Sequence, residues 1–310
     1  LLFKKDILKG GIIMIKNFEH LVELAKEKDS KKIAVVAADD LEVLEVVSKA
    51  EELELANFIL IGDELKMKKI NEENGLNIKS KMVDEKDHKK AADLAVDLVV
   101  QGKAGALMKG MLHSSVFLKA ILDKEKGLNT GKHITQISVL EKENKEGLLF
   151  ITDCAITINP DLSGKKEVLE NAVDLAHKLG NEMPKVAVLA SLEVVNPDMQ
   201  DTIDAAVLSK MAERGQIKGC MVDGPFAFDN AVSAEAARQK GINSSVAGNA
   251  DIIVVPSLTV GNTLTKSITY IAKKTVVAAT VGAAIPIVFT SRTESVEGKL
   301  LSIALAAYTS

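Results

Sequence analysis

At 310 residues and 33.2 kDa, with 47% apolar and 26% charged residues, the chain has the composition of a folded globular protein long enough for two domains. A formal net charge of −4, 3% aromatics and no tryptophan exclude the basic footprint of a nucleic-acid binder and the stacking platforms of a single-strand binder. No run of about 18 apolar residues marks a membrane span, and two cysteines, Cys154 and Cys220, are too few for a disulfide framework. The chain therefore reads as cytoplasmic. Met14 is a candidate true start, which would put residues 1–13 outside the fold.

In chain order, residues 31–38 form an apolar strand pattern, and Asp39 and Asp40 stand ready to cap a helix over 40–53. A second strand is expected at 57–62, a helix at 65–74, a short edge strand at 78–83, a helix at 88–103 and a strand at 105–110. Short connections between continuous apolar strands predict a parallel sheet covered by helices. The composition changes at 127–131. Residues 133–141 and 145–153 then read as extended neighbours that pair antiparallel across a charged turn.

Beyond them the alternation resumes with a helix at 163–180, capped by Ser163 and stopped near Gly180. A strand at 185–191, a helix at 201–215, a strand at 220–224, a helix at 232–241 and a strand at 250–256 follow. The next helix is expected to start close to Asn262, and strands at 275–282 and 286–291 precede a closing helix at 297–309. A return of this tail to the first domain is one option that the pattern leaves open.

Ligands of open α/β sheets sit beyond the carboxyl ends of the strands. Thr290-Ser291-Arg292 ends the last apolar strand with a hydroxyl beside a guanidinium, and the chain has only three arginines, at 214, 238 and 292. A rigid bidentate fork suits a phosphate or carboxylate; the competing reading is a strand end with Arg292 in a surface ion pair. After another strand, Ser114 and Ser115 either cap a helix or join backbone N–H groups around an anion. His113, beside them, is a base candidate or a structural residue. Asp153 and Asp161 would orient a substrate or hold a metal, but no histidine or third carboxylate stands at a persuasive spacing.

Asp223-Gly224-Pro225 reads as a tight turn or a point of close approach, with Phe226 and Phe228 packing. Between Pro256 and Lys266, Gly261 allows close approach, Asn262 suits a helix terminus and Lys266 lies one turn on. These either embrace a phosphate or form an ordinary loop and cap. No G-x-G-x-x-G, P-loop or G-x-S-x-G sequence occurs, which disfavours an ordinary nicotinamide enzyme and a serine hydrolase.

Taken together, KGMLHSS (109–115), TDCAITINPDL (152–162), VDGPFAFDNAVS (222–233), GNTLTKSITY (261–270) and GAAIPIVFTSRTESVEGKL (282–300) resemble the phosphate acetyltransferase and phosphate butyryltransferase family. The resemblance runs over nearly everything after the initial residues, and the first two segments are similar to the butyryl branch. It implies an α/β fold of two isocitrate/isopropylmalate dehydrogenase-like domains with mainly parallel sheets and an interdomain cleft. Residues 1–130 and 279–310 would form the first domain and 131–278 the second.

The implied reaction is reversible transfer of butyryl, or a similar short acyl group, from coenzyme A to inorganic phosphate in a ternary complex. Coenzyme A is then substrate and product, with no metal and no tightly bound cofactor. Neither nucleic acid nor membrane is an implied partner, and homodimers or higher homo-oligomers are. Carried over by residue, Ser291 meets the coenzyme A thiol or thiolate. Arg292 binds phosphate, assisted by Lys266 or by Ser114 and Ser115. Gly261, Asn262, Lys119 and Tyr270 fall to coenzyme A.

Three family positions depart. An arginine near the GN helix is Tyr270 here, or Thr269 if the alignment slips; another is Lys119; and an aspartate proposed as base falls on Gly298. Glu294 and Glu297 are the substitute catalytic carboxylates. The alternatives are a phosphate acetyltransferase, a metal-dependent decarboxylating dehydrogenase of the same implied fold, and an inactive protein that binds coenzyme A or phosphate.

Overall fold

The computed structural model describes residues 13–28, 32–126, 128–143, 145–291 and 293–310. In chain order these form α1 (Phe18–Glu27), β1 (Ile33–Val36), α2 (Leu41–Glu52), β2 (Phe58–Gly62), α3 (Glu64–Glu73), β3 (Lys81–Asp84), α4 (His88–Val100), β4 (Ala106–Lys109) and α5 (Ser114–Ile121). Next come β5 (Thr135–Glu141), β6 (Leu148–Thr152), α6 (Leu162–Lys178), β7 (Lys185–Leu189), α7 (Gln200–Glu213), β8 (Met221–Phe226), α8 (Phe228–Val232), α9 (Ala234–Gln239), β9 (Ile252–Val254) and α10 (Leu258–Tyr270). The chain closes with β10 (Val277–Val281), β11 (Ile287–Val288) and α11 (Val296–Thr309).

Two compact units result. The flanking unit combines Phe18–Ile134 with Thr275–Ser310, and its strands run in the order β3-β2-β1-β4-β11-β10. All neighbours are parallel except the β10–β11 pair. Alternation along β1 sends successive side chains to opposite faces. Ile33 and Val35 pack with Leu44 and Val47 of α2 and Ile303 and Ala304 of α11. Ala34 and Val36 pack with Ala92, Ala95 and Val96 of α4 and Phe117 of α5. Each fully buried aliphatic side chain contributes roughly 1.5–3 kcal/mol. The C-terminal helix therefore belongs to this unit because it supplies part of one apolar face.

The central unit holds Thr135–Lys274, with strand order β5-β6-β9-β7-β8. Only β5 and β6 are antiparallel, as the charged turn between them predicted. Residues 13–17 also lie with this unit, although the sequence reading put them in the first domain. The Ile15 amide donates to Leu179 O, the Gly147 amide to Lys16 O, and Gly180 rests against the Ile13 and Met14 backbone.

Local chemistry sets the helix starts. Asp40, Asp63 and Asp87 each accept first-turn amides of α2, α3 and α4, a cap worth about 1 kcal/mol. Three expectations are corrected. The cap of α6 is Asp161, whose Oδ1 accepts the Gly164 amide at 2.8 Å, and Ser163 lies inside the helix. Helix α10 begins at Leu258, before Asn262, because Gly261 is buried in its first turn. Phe228 is 40% exposed, whereas Phe226 is buried as expected.

Candidate functional site

In the flanking unit the carboxyl ends of β1, β4 and β11 lie side by side, with Val36 in register with Lys109 and Met108 in register with Val288. The chain leaving β4 is pinned to β1: the Gly110 amide donates to Val36 O at 2.8 Å and the Met111 amide to Ala37 O at 2.9 Å. A side chain at Gly110 would put its Cβ 2.2 Å from Ala37 O, so only glycine fits this approach. Phe289, just past β11, stacks on Phe117 of α5 with centroids 6.2 Å apart, and Lys109 Nζ stands 5.7 Å from its ring centre. The Lys109–Ser115 loop and the Phe289–Ser291 loop therefore share one sheet end.

At that end α5 begins with Ser114 and Ser115 as its first two helical residues, both exposed. They are not caps, as one reading had them. The cap position is His113, and its side chain makes no capping bond. Lys119 is exposed in the last turn of α5. Ser291 is exposed, and its Oγ lies 3.1 Å from Thr293 Oγ1. Arg292 lies outside the described residues.

Of the two substitute carboxylates, Glu297 is exposed in the first turn of α11, with Oε2 3.4 Å from Thr275 Oγ1. Glu294 is half-buried, and Oε2 accepts the Ser291 amide at 3.2 Å. Burial pushes its carboxyl up to about 7, against smaller opposing effects of the Ser291 amide and the Lys299 ammonium. The Gly298–Glu294 contact was missed by sequence reasoning. Its one visible signal was a glycine in the first turn of a helix.

In the central unit, Asp153 and its surroundings are structural. Oδ1 accepts the Ala155 and Ile156 amides at 2.8 and 3.0 Å, and Oδ2 the Thr157 amide at 3.0 Å. Gly261 permits close approach as expected, but to the protein itself: a Cβ there would stand 2.2 Å from Asp153 O. Asn262 Nδ2 donates to Cys154 O at 3.2 Å. Lys266 and Tyr270 are exposed on α10, with Lys266 Nζ 5.9 Å from the Tyr270 ring centre. Asp223-Gly224-Pro225 lies within β8 and is not a tight turn. Asp223 accepts the Gly224 amide at 2.8 Å, and Gly224 is a point of close approach, since a Cβ there would stand 2.8 Å from Val188 O.

Neither thiol is poised as a nucleophile. Burial raises the Cys154 thiol, and burial with nearby Glu170 pushes Cys220 up to about 11. Among the described residues no group of three or more histidines, cysteines or carboxylates is arranged to hold a metal, and no helix is long and apolar enough to cross a membrane.

The flanking unit thus presents, at the end of an α/β sheet, a hydroxyl loop beside a loop that opens a helix. Exposed hydroxyls of Ser114, Ser115 and Ser291 lie at one sheet end, where ligands of open α/β sheets sit. Residues 81–307 match the model of the family described as "Phosphate acetyl/butaryl transferase", and the chain belongs to that family. Acyl transfer between coenzyme A and phosphate is accordingly its reaction class. The phosphate butyryltransferase of Clostridium beijerinckii is 45% identical over 295 residues, covering 95% of this chain and 98% of that protein. A phosphate acetyltransferase of Thermotoga maritima is 43% identical over 289 residues, covering 93% and 98%. The crystal structure of a branched-chain phosphotransacylase from Enterococcus faecalis V583 superposes with a TM-score of 0.79 at 31% identity, covering 90% of this chain and 98% of that one. The mixed α/β sheet topology is therefore that of the phosphotransacylases.

Proposed function

We infer that this chain transfers a butyryl or similar short acyl group from coenzyme A to inorganic phosphate. The observation that carries the reading is the exposed Ser291 hydroxyl at the end of β11, beside the loop from β4 and next in sequence to Arg292. Phosphate sits on Arg292, aided by Lys266 or by the start of α5 at Ser114 and Ser115. Its oxygen attacks the thioester carbonyl, a carbon–oxygen bond forms, and the carbon–sulfur bond breaks with its electron pair passing to sulfur. Ser291 donates a hydrogen bond to that sulfur as charge develops, an interaction made only in the transition state and so one that raises turnover. Glu297, exposed in the first turn of α11, is the carboxylate open to a phosphate proton; Glu294 is bonded to the Ser291 amide.

Coenzyme A is held by Gly261, Asn262, Lys119 and Tyr270 in this reading. The first two already hold the Asp153–Cys154 backbone, which leaves Lys119 and Tyr270 as the exposed pair. An isocitrate/isopropylmalate dehydrogenase-like fold and a homodimer or higher homo-oligomer belong to the same proposal.

The acyl preference rests on KGMLHSS and TDCAITINPDL, because identities of 45% and 43% to a butyryl and an acetyl enzyme do not separate the branches. Thiol release from acetyl-, propionyl-, butyryl- and valeryl-coenzyme A, with and without phosphate, tests it. Phosphate-dependent release fastest with butyryl is expected. Acetyl preference would change the branch, and release independent of phosphate would remove the transferase reading.

A further inference from the structure

Glu294 grips Ser291 by both backbone polar groups. Its Oε2 accepts the Ser291 amide at 3.2 Å, and its own N–H donates to Ser291 O at 3.1 Å. The carboxylate binds the amide of Ser291, not the hydroxyl, whose contact is Thr293 Oγ1. The second carboxyl oxygen, Oε1, is buried with no hydrogen-bond partner among the described residues.

A side chain at residue 298 would crowd this seat. A Cβ on Gly298 would stand 3.1 Å from Glu294 Cγ, 3.2 Å from Glu294 Oε1 and 3.2 Å from Val276 O. Backbone conformation does not call for glycine there, since the residue is helical without a positive φ. Helix propensity opposes it by roughly 0.5–1 kcal/mol relative to alanine. Space for the Glu294 carboxyl is what remains to account for it.

We propose that Glu294 and Gly298 form one positioning device for Ser291, in which the missing side chain at 298 seats the carboxyl and the seated carboxyl holds the serine backbone for acyl transfer. This rests on the acyl-transfer reading above, and within it Glu294 is a positioning residue acting through Ser291. The groups around the carboxyl are the Ser291 and Ala278 amides, the Ser302 hydroxyl, and the Lys299 ammonium, itself buried and bonded to Glu42 of α2. The charged carboxylate is the stronger acceptor for the Ser291 amide. The grip therefore tightens as Glu294 loses its proton, near neutral pH.

The test compares wild type with Glu294→Ala, Glu294→Gln, Gly298→Ala and the Glu294→Ala/Gly298→Ala double variant. It reads phosphate-dependent thiol release from butyryl-coenzyme A and hydrogen–deuterium exchange of the peptide that carries Ser291. Glu294→Ala should lower kcat by about tenfold or more, leave both KM values within about twofold, and raise exchange. Gly298→Ala should lower kcat in the wild-type background and cost far less once Glu294 is already alanine, the non-additivity expected of one device.

Phosphate itself titrates near neutrality, so the pH readout is the ratio of wild-type to Glu294→Gln kcat, in which the substrate's titration cancels. That ratio should rise by about threefold as pH passes through the Glu294 transition. A flat ratio, an equal cost of Gly298→Ala in both backgrounds, or unchanged exchange in Glu294→Ala overturns the device. Raised exchange in that variant, with a wild type that releases no thiol, keeps the grip and removes the acyl-transfer reading instead.

Discussion

The loops after β6 and after β11 each carry a carboxylate shielded from water, and the two are held in opposite ways. Asp153 is 3% exposed, and its two oxygens accept three amides within four residues, while Gly261 and Asn262 hold the backbone beside it. Glu294 accepts the Ser291 amide with Oε2. The Ser302 hydroxyl and Ala278 amide lie near the carboxyl, but its buried Oε1 makes no well-aligned hydrogen bond among the described residues. An unsatisfied buried oxygen costs about 1–3 kcal/mol, a cost that tends to persist at sites with a task. Burial alone therefore does not distinguish the two carboxylates; their hydrogen bonding does. Asp153 is a joint, whereas burial raises the Glu294 carboxyl to about 7 beside Ser291.

The largest expected effect falls in the second loop. Arg292→Ala should cut phosphate-dependent thiol release by about 10³-fold, seen as loss of phosphate saturation in initial rates. An unchanged phosphate dependence would take Arg292 out of the site and leave the loop with only its hydroxyl. Next, Asp153→Ala strands three amides and should lower the unfolding free energy by roughly 3 kcal/mol in a urea titration. The comparison breaks if that variant keeps its stability and loses activity. The smallest effect is on the pH dependence of stability. The Glu294 proton is bound more tightly in the fold, at about 7, than in the unfolded chain, at 4.5. Wild-type stability should therefore fall as pH rises across that window, by roughly 1–2 kcal/mol after allowance for partial solvation. Urea midpoints of Glu294→Gln should lack this slope; equal slopes would mean that Glu294 is as well satisfied as Asp153.

Much of the fold was legible along the chain. The apolar runs at β1, β2, β4 and β9 and the aspartates before α2, α3 and α4 are local signals, and each element formed where its own residues direct. The failures lie at helix starts. Helix α10 starts at Leu258 through the unpromising Thr-Val-Gly-Asn because burying Gly261 against Asp153 O outweighs weak propensity. Asp161 rather than Ser163 caps α6, a choice between two competent caps two residues apart. Ser114 and Ser115 fell inside α5, one step past the capping position. Ser291 and Arg292 were singled out because they adjoin in sequence; their part in the site rests on the proposal above.

Sequence by itself determined the alternating strands and helices, the reaction class and the hydroxyl–arginine motif, because periodicity, capping and contiguous motifs are all written within a few residues. Only the tertiary structure decided what surrounds each carboxylate. The Glu294 seat joins the space left by the absent side chain of Gly298 on α11, where a Cβ would also crowd the Val276 carbonyl, with the Ser291 amide after β11. Separate stretches of chain meet around one carboxyl group, and no one-dimensional pattern records how its two oxygens are satisfied.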